Sequence, residues 1–153
     1  MTKKGWRVQR ALDPNDLLHS CELIITATTS RSPVLGKEFD WDQLPHKKGQ
    51  LITCIGADAT GKIELDTTLV AKADLLIADS RLQTSERGEF EEAIQQNIVN
   101  LQDIIELGEL VEKKELLRTE HDDRLVIFDS SGVAVQDCAV AKMVYETLQA
   151  LND

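Results

Sequence analysis

The stretch Glu22-Leu23-Ile24-Ile25-Thr26-Ala27-Thr28-Thr29 decides the fold class of this 153-residue chain. Its first part is a continuous apolar run without alternating polar positions, which is typical of a strand in a parallel sheet covered on both faces. Its last part consists of small and hydroxyl-bearing residues. We therefore predict a buried strand that ends in a polar turn.

The same pattern recurs at residues 50–56, 74–79 and 124–129. Helical periodicity lies between these runs, where Asp13-Pro14 is a helix start signal and Asp66 is placed to cap a later helix. Strands that alternate with helices predict an α/β protein with a doubly wound parallel sheet.

The remaining segments carry weaker signals. Residues 6–11 are predicted to form a modest first strand, and residues 133–151 form a helix so apolar that we predict it to be packed on the domain. The pattern from 81 to 114 is helical with breaks at Gly88 and Gly108. We predict that a set of glutamates in this region forms a solvated face: Glu86, Glu89, Glu91 and Glu92.

Composition limits the classes of function. The length fits one domain over residues 1–153, and the net charge of -10 disfavours nucleic acid and anionic membranes as partners. No apolar run reaches the roughly 18 residues that cross a bilayer. The cysteines and histidines are scattered, so no metal site is predicted, and reduced thiols of this kind are typical of a cytoplasmic protein.

Small polar residues follow each of the four buried strands, at positions 26–30, 56–61, 79–80 and 129–132. Because ligands of open parallel sheets bind outside the carboxyl ends of the strands, four such ends in succession predict a binding site. The alternative is that Ser, Thr, Asp and Gly stand here as ordinary turn and capping residues.

Two phosphate-binding motifs are disfavoured. The spacing from Gly56 to Lys62 is that of a P-loop, but Ile63 replaces the Ser or Thr that binds magnesium, and Asp58 would put a carboxylate inside a phosphate cradle. The dinucleotide fingerprint G-x-G-x-x-G does not occur in the chain. A complete nicotinamide-binding fold is therefore not predicted from motifs.

Five segments follow one another along the chain: IITATTSRSPVL (24–35), IGADATGKIELD (55–66), ADLLIADSR (73–81), ELGEL (106–110) and FDSSGVAVQD (128–137). Together they resemble the ornithine cyclodeaminase/mu-crystallin family, NAD(P)-dependent enzymes that act on amino acids and cyclic imines. The resemblance extends from about residue 6 to 151.

The resemblance implies roles for the matching positions. Asp58 matches the family's active-site aspartate, a proton donor or acceptor beside the substrate amine; without the family it would be interpreted as a turn carboxylate bound by backbone N–H groups. The implied cofactor-binding positions lie at the strand ends: Thr26, Ala27, Thr28 and Thr29 at the pyrophosphate and ribose, Ile55 and Gly56 at the nicotinamide, and Ser130, Ser131 and Gly132 at its carboxamide.

Family members also have an N-terminal substrate domain and two earlier strands with a Gly-rich turn, and neither finds a match in this sequence. We therefore expect a partial Rossmann-type domain lacking those two strands, a fragment or short relative of an oxidoreductase that is not catalytically complete alone. NAD or NADP binding by this chain alone is expected to be weak or absent, and the implied substrate is a small amino acid or imine.

The alternative is a non-catalytic module that kept the fold and associates with itself or with a partner. Without a neighbour, the strand over residues 23–28 would form an apolar edge of the sheet. Such edges pair with other chains, so we expect a homo-oligomer that forms through this edge.

Overall fold

The computed structural model describes residues 5, 7–41, 49–113, 119 and 121–152. Its main sheet has five parallel strands, in the order β1-β3-β7-β5-β6. The strands of this sheet are β1 (Leu23–Thr26), β3 (Gln50–Cys54), β5 (Leu75–Ala78), β6 (Ile105–Glu106) and β7 (Leu125–Asp129). A second sheet consists of one parallel pair, β2 (Arg31–Leu35) and β4 (Ile63–Leu65).

Helices connect and flank these strands, and all are short except the last. They are α1 (Asp16–Ser20), α2 (Thr67–Ala71), α3 (Arg81–Arg87), α4 (Glu91–Gln95), α5 (Leu107–Glu112) and α6 (Ala134–Asn152), with a 3₁₀ turn at Leu101–Asp103. The predicted α/β fold with a parallel sheet is thus confirmed. Within the described ranges no helix is long and apolar enough to cross a membrane.

The four apolar runs of the sequence form the strands β1, β3, β5 and β7, as predicted. The short strands β2, β4 and β6 were not predicted, because two to five residues carry too little periodicity to be recognised. The predicted strand over residues 6–11 is wrong for residues 7–11, which are exposed and form no strand; Trp6 lies outside the described residues.

Helix boundaries follow the predicted signals in part. Asp66 caps α2 as predicted, since its carboxylate accepts the Thr68 N–H at 2.9 Å. Helix α1 begins two residues later than Pro14, and the Asp13 carboxylate instead accepts the Asn15 N–H of the preceding turn at 2.8 Å. Gly88 ends α3 as predicted, whereas Gly108 lies inside α5 rather than at a break.

One face of the sheet carries the hydrophobic core. Ile24, Ile52 and Ile127 occupy matching positions on β1, β3 and β7 and are almost fully buried. They pack with apolar side chains from β4, α2, α4 and the connecting loops: Leu65, Leu69, Val70, Phe90, Ala93 and Ile104. The opposite face is open at its β1 end, where Leu23 and Ile25 are 58% and 60% exposed.

The prediction that residues 133–151 pack on the domain is wrong for this chain by itself. Every residue from 134 to 151 is exposed, including the apolar stripe of Val140, Val144 and Leu151. The helix itself is confirmed as α6. No described part of the chain covers this stripe, so the apolar composition that predicted burial has no partner surface within the chain.

Candidate functional site

The sheet order brings the four predicted polar strand ends side by side, because β1, β3, β7 and β5 are neighbours. Backbone hydrogen bonds continue past the strands and join these ends. The bonds are Ile55 N–H to Thr26 O (3.0 Å), Ser130 N–H to Cys54 O (2.9 Å) and Asp79 N–H to Asp129 O (3.1 Å). The ends therefore form one continuous edge, as expected for a parallel sheet.

Part of this edge is open to solvent, and we call it the rim: residues 27–29, Ile55, Ser130 and Gly132. Ile55 is 48% exposed, and residues 27–29 and Gly132 are also exposed. Gly132 has a φ of +81°, and no atom lies within 4 Å of the position a Cβ would take. A ligand could therefore approach the backbone closely at this point.

The other predicted cofactor-binding residues point into the chain. Thr26 and Ser131 are each only 7% exposed. The Thr26 hydroxyl donates to Glu64 at 2.6 Å, and the Ser131 hydroxyl lies 3.2 Å from Asp79 Oδ1 and 3.1 Å from the side-chain amide of Gln83. These two side chains support the edge from within, and their hydroxyls are already engaged.

Glu64 on β4 lies behind the edge and is fully buried. Its Oε1 accepts the Thr28 N–H at 2.5 Å, and its Oε2 accepts the Gly56 N–H at 3.0 Å in addition to the Thr26 hydroxyl. One carboxylate therefore links the end of β1 to the end of β3.

Gly56 is required by this close approach. A Cβ at residue 56 would lie 2.3 Å from Thr28 O and 2.5 Å from Glu64 Oε1, far inside van der Waals contact. The glycine therefore serves here to admit the Glu64 carboxylate and the β1 backbone, rather than to form the turn of a P-loop. Consistent with this, β4 and not a helix follows Lys62, so the rejection of the P-loop is confirmed.

Glu89 holds the main chain of β4 in turn. It is 1% exposed, and its carboxylate accepts the Glu64 N–H at 3.0 and 3.1 Å and the Leu65 N–H at 2.6 Å. Burial raises the pKa of Glu89 to about 8 against the lowering effect of these two N–H groups, and the charges of Asp129 and Glu64 raise it further. The prediction that Glu89 belongs to a solvated face is wrong.

Asp129, the last residue of β7, completes the series. Its Oδ2 accepts the Glu89 N–H at 3.0 Å and the hydroxyl of Thr84, while Oδ1 is buried without a partner among the described residues. Burial raises the pKa of Asp129 to about 7. Three buried carboxyls, Asp129, Glu89 and Glu64, thus follow one another behind the edge, each holding the backbone of the next element.

Asp79, the residue that follows β5, supports the β7 end of the rim. Its Oδ2 accepts the Gly132 N–H at 2.8 Å and the Ser130 hydroxyl at 3.3 Å. The turn over residues 130–132 is therefore fixed by a carboxylate at the end of the neighbouring strand, which is a structural role that turn statistics alone do not reveal.

Asp58 lies in the exposed loop after β3, with 58% of its side chain exposed. It forms an ion pair with Lys62, and this hydrogen bond and charge hold the pKa of Asp58 below its ordinary value. The Lys62 ammonium is its main partner, and a hydrogen bond from the backbone N–H of Asp58 itself contributes in the same direction, so the alternative of a turn carboxylate stays open. An exposed, ionised carboxylate can accept a proton from a ligand.

A cleft of about 360 Å³ is lined in part by the turn of residues 60–62. Arg31, Glu91, Glu92 and the buried Glu89 contribute to its walls, whereas the rim residues do not line it. Among the described residues, no cluster of His, Cys, Asp or Glu is arranged to hold a metal ion.

Sequence reasoning missed Glu64 and Glu89 as parts of this site. Glu64 lies on a strand of three residues, too short to show that it is buried. Glu89 sits in an acidic run, but its position between Gly88 and Phe90, at the break between two helices, was the available signal that it turns inward.

The protein-family comparison matches residues 1–152 to the ornithine cyclodeaminase/mu-crystallin family. The alanine dehydrogenase of Archaeoglobus fulgidus is 34% identical over 146 residues, which are 95% of this chain and 43% of that protein. A Delta(1)-pyrroline-2-carboxylate reductase of Bacillus cereus is 29% identical over 88% of this chain and 39% of its own length. The chain thus spans about two fifths of the length of these relatives.

Solved structures agree with this assignment. An archaeal alanine dehydrogenase dimer with bound NAD superimposes with a TM-score of 0.72 at 33% identity, over 92% of this chain and 42% of that one. The iminosuccinate reductase of Paracoccus denitrificans in complex with NAD+ superimposes with a TM-score of 0.77 at 29% identity, over 94% and 42% of the two chains. The fold is therefore that of part of an NAD-binding, Rossmann-like domain.

Proposed function

Because this chain belongs to the ornithine cyclodeaminase/mu-crystallin family, we propose that its rim holds the nicotinamide half of NAD or NADP in an oxidoreductase acting on amino acids or cyclic imines. The observation that carries the proposal is the continuous edge formed by the ends of β1, β3, β7 and β5. Ligands of open parallel sheets bind at this edge, and relatives with the same fold have NAD bound.

The rim fits such a group in size and chemistry. Ile55 offers an exposed apolar side chain on which a flat ring can lie, and Gly132 leaves open space at the backbone. Thr28 and Thr29 are exposed at the β1 end. The Thr28 hydroxyl oxygen accepts the Ser30 N–H at 3.2 Å, and its own proton, like that of Thr29, can be donated to phosphate or ribose oxygens.

The bound dinucleotide would supply the hydride acceptor or donor. The residues of this chain would orient it and exchange the proton. Asp58, held ionised by Lys62, would accept the proton that leaves a substrate nitrogen when its carbon is oxidised, and it would return that proton in the reductive direction.

A titration of the ¹⁵N-labelled chain with NADH, followed by NMR, tests the proposal even if binding is weak. We expect the amide shifts to cluster at Thr28, Thr29, Ile55 and residues 130–132. Ile55→Asp should weaken them strongly, because it places a charge under the ring. Ile98→Asp is the matched control, since Ile98 is similarly exposed (41%) and is not a rim residue. Shifts that cluster away from the rim would contradict the proposal.

We also propose that a second copy of the chain pairs with β1, and that the protein resides in the cytoplasm. Among the described strands, β1 has a hydrogen-bonded neighbour on one side only, which is β3. Its side chains Leu23 and Ile25 are exposed. An unpaired apolar edge favours association with an identical edge. The alternative of a non-catalytic module that associates with itself requires the same contact.

A further inference from the structure

The last backbone hydrogen bond between β1 and β3 runs from the Ile55 N–H to Thr26 O. Beyond that bond, among the described residues, the Glu64 carboxylate is the one group that joins the two strand ends. It does so with charge-assisted hydrogen bonds to two backbone N–H groups, of Thr28 and Gly56. Hydrogen bonds to an ionised acceptor are about twice as strong as neutral ones. Without the carboxylate, the N–H groups of Thr28 and Gly56 would lose this shared acceptor.

The carboxylate is itself held in position. Both N–H groups of the β4 segment that carries it, those of Glu64 and Leu65, are bound by Glu89, and the Glu89 N–H is bound by Asp129 at the end of β7. Glu64 is fully buried, so water does not compete for its hydrogen bonds. The position of the Glu64 carboxylate is therefore set by β4, by the segment between α3 and α4 that carries Glu89, and by the end of β7.

We propose that Glu64 is a positioning residue, which fixes the distance between Thr28 and Gly56 and so shapes the rim for the dinucleotide. This inference rests on the proposed function of the rim. Glu64 would not touch the dinucleotide itself, because it lies behind the rim and acts on it through the Thr28 and Gly56 N–H groups. The prediction from the family resemblance assigned no role to this residue.

The chemistry of the side chain is specific. Three donors converge on two oxygens, so Glu64→Gln would direct an NH₂ group at one or more N–H donors and lose an acceptor. Glu64→Asp keeps the charge but is one methylene shorter and cannot reach both strand ends. Thr26→Val removes the hydroxyl donor alone and leaves both backbone bonds in place.

Amide hydrogen exchange without any cofactor tests the link between the strands. In Glu64→Gln we expect the Thr28 and Gly56 amides to exchange about tenfold faster or more, which is the effect of losing one charge-assisted bond. The Leu65 amide, bound by Glu89, serves as the internal control and should keep its protection. Thr26→Val should leave both amides protected. If Glu64→Gln does not fold, Glu64→Asp is measured in the same way.

NADH titration then tests the effect on the rim. We expect Glu64→Gln to weaken binding about tenfold, while the similarly conservative core variant Ile104→Val, away from the rim, leaves it unchanged. Binding that Glu64→Gln retains in full, or unchanged exchange of Thr28 and Gly56, would overturn the inference. NADH shifts that cluster away from the rim in the unmodified chain would instead refute the proposed function, and the exchange measurement would still decide whether Glu64 fixes the two strand ends.

Discussion

Asp129 and Glu89 are two buried carboxyls joined through the main chain, since Oδ2 of Asp129 accepts the Glu89 N–H at 3.0 Å. Burial raises the pKa of Glu89 to about 8 and that of Asp129 to about 7. The charge of Asp129 raises the pKa of Glu89 further, and the charges of Asp79 and Glu64 do the same for Asp129. Below about pH 7 both groups therefore favour the protonated form in the folded chain.

The stability of the fold should fall as pH rises. Both pKa values are higher in the folded chain than their ordinary values of 4.5 and 3.8, so the folded state binds more protons between them. The resulting stability is fully present below those ordinary values, falls as pH rises above them, and is lost once pH passes about 7 to 8. We expect the melting temperature, followed by circular dichroism, to drop by about 5 °C or more between pH 5 and 9.

Glu89→Gln should flatten this pH dependence, because an amide in its place does not ionise. Glu92→Gln, in which an exposed neighbour is changed, is the matched control and should keep the slope of the unmodified chain. Equal slopes in the two variants would show that the buried carboxyl at residue 89 does not titrate in this range.

A methyl group at residue 56 should push the ends of β1 and β3 apart and destabilise the fold. Gly56→Ala would force the new Cβ against Thr28 O and Glu64 Oε1, so we expect a loss of about 1–3 kcal/mol in the free energy of unfolding. Gly108→Ala is the control, because a Cβ there meets no atom within 4 Å and removes a flexible residue from α5, with an expected gain of about 0.5–1 kcal/mol. Urea unfolding measures both, and equal effects would contradict the close packing at Gly56.

The sequence was sufficient to predict the strands whose two faces are apolar, and with them the edge at which polar residues meet. It was insufficient where burial depends on distant partners. Glu64 and Glu89 are buried because backbone N–H groups of other elements surround them, which no local pattern records. For helix α6 the prediction erred in the other direction: its apolar composition predicted burial, but its residues are exposed. Only a surface outside the described chain could cover them.

Asp58 should matter for catalysis but not for folding. Its ion pair with Lys62 is exposed, and exposed pairs contribute little to stability, so Asp58→Asn should leave the melting temperature nearly unchanged. In any preparation of the full protein that shows hydride transfer, we expect turnover to fall about a hundredfold or more, the usual effect of losing a positioned acid–base group.

Lys62→Met gives a second measure of the same group. Removing the ammonium removes the main cause of the low pKa of Asp58, so the acidic limb of the pH–rate profile should move to higher pH. An unchanged pH–rate profile, together with unchanged turnover in Asp58→Asn, would show that Asp58 is a surface carboxylate without a catalytic role.

The affinity of this chain alone for NAD or NADP should be low. Pyrophosphate binding in these folds depends on a Gly-rich turn at a helix N-terminus, and the sequence contains no G-x-G-x-x-G. Isothermal titration calorimetry should therefore give a dissociation constant well above the low micromolar range. A low micromolar value would mean that the rim binds the whole dinucleotide without that turn.

We expect the chain to associate with itself through β1. Two copies related by a two-fold axis would set their β1 strands antiparallel, which satisfies the open backbone groups of both edges and covers Leu23 and Ile25, now 58% and 60% exposed. The net charge of -10 opposes such contact through repulsion between copies, so added salt should strengthen the association by screening this repulsion.

Light scattering at high micromolar concentration should report a dimer or larger assembly. Ile25→Lys should shift it to monomer, whereas Leu82→Lys, an equally exposed site on α3 (65%), should not. A monomeric unmodified chain would refute the association, and dissociation by Val144→Glu but not by Ile25→Lys would place the interface on α6 instead of the sheet edge.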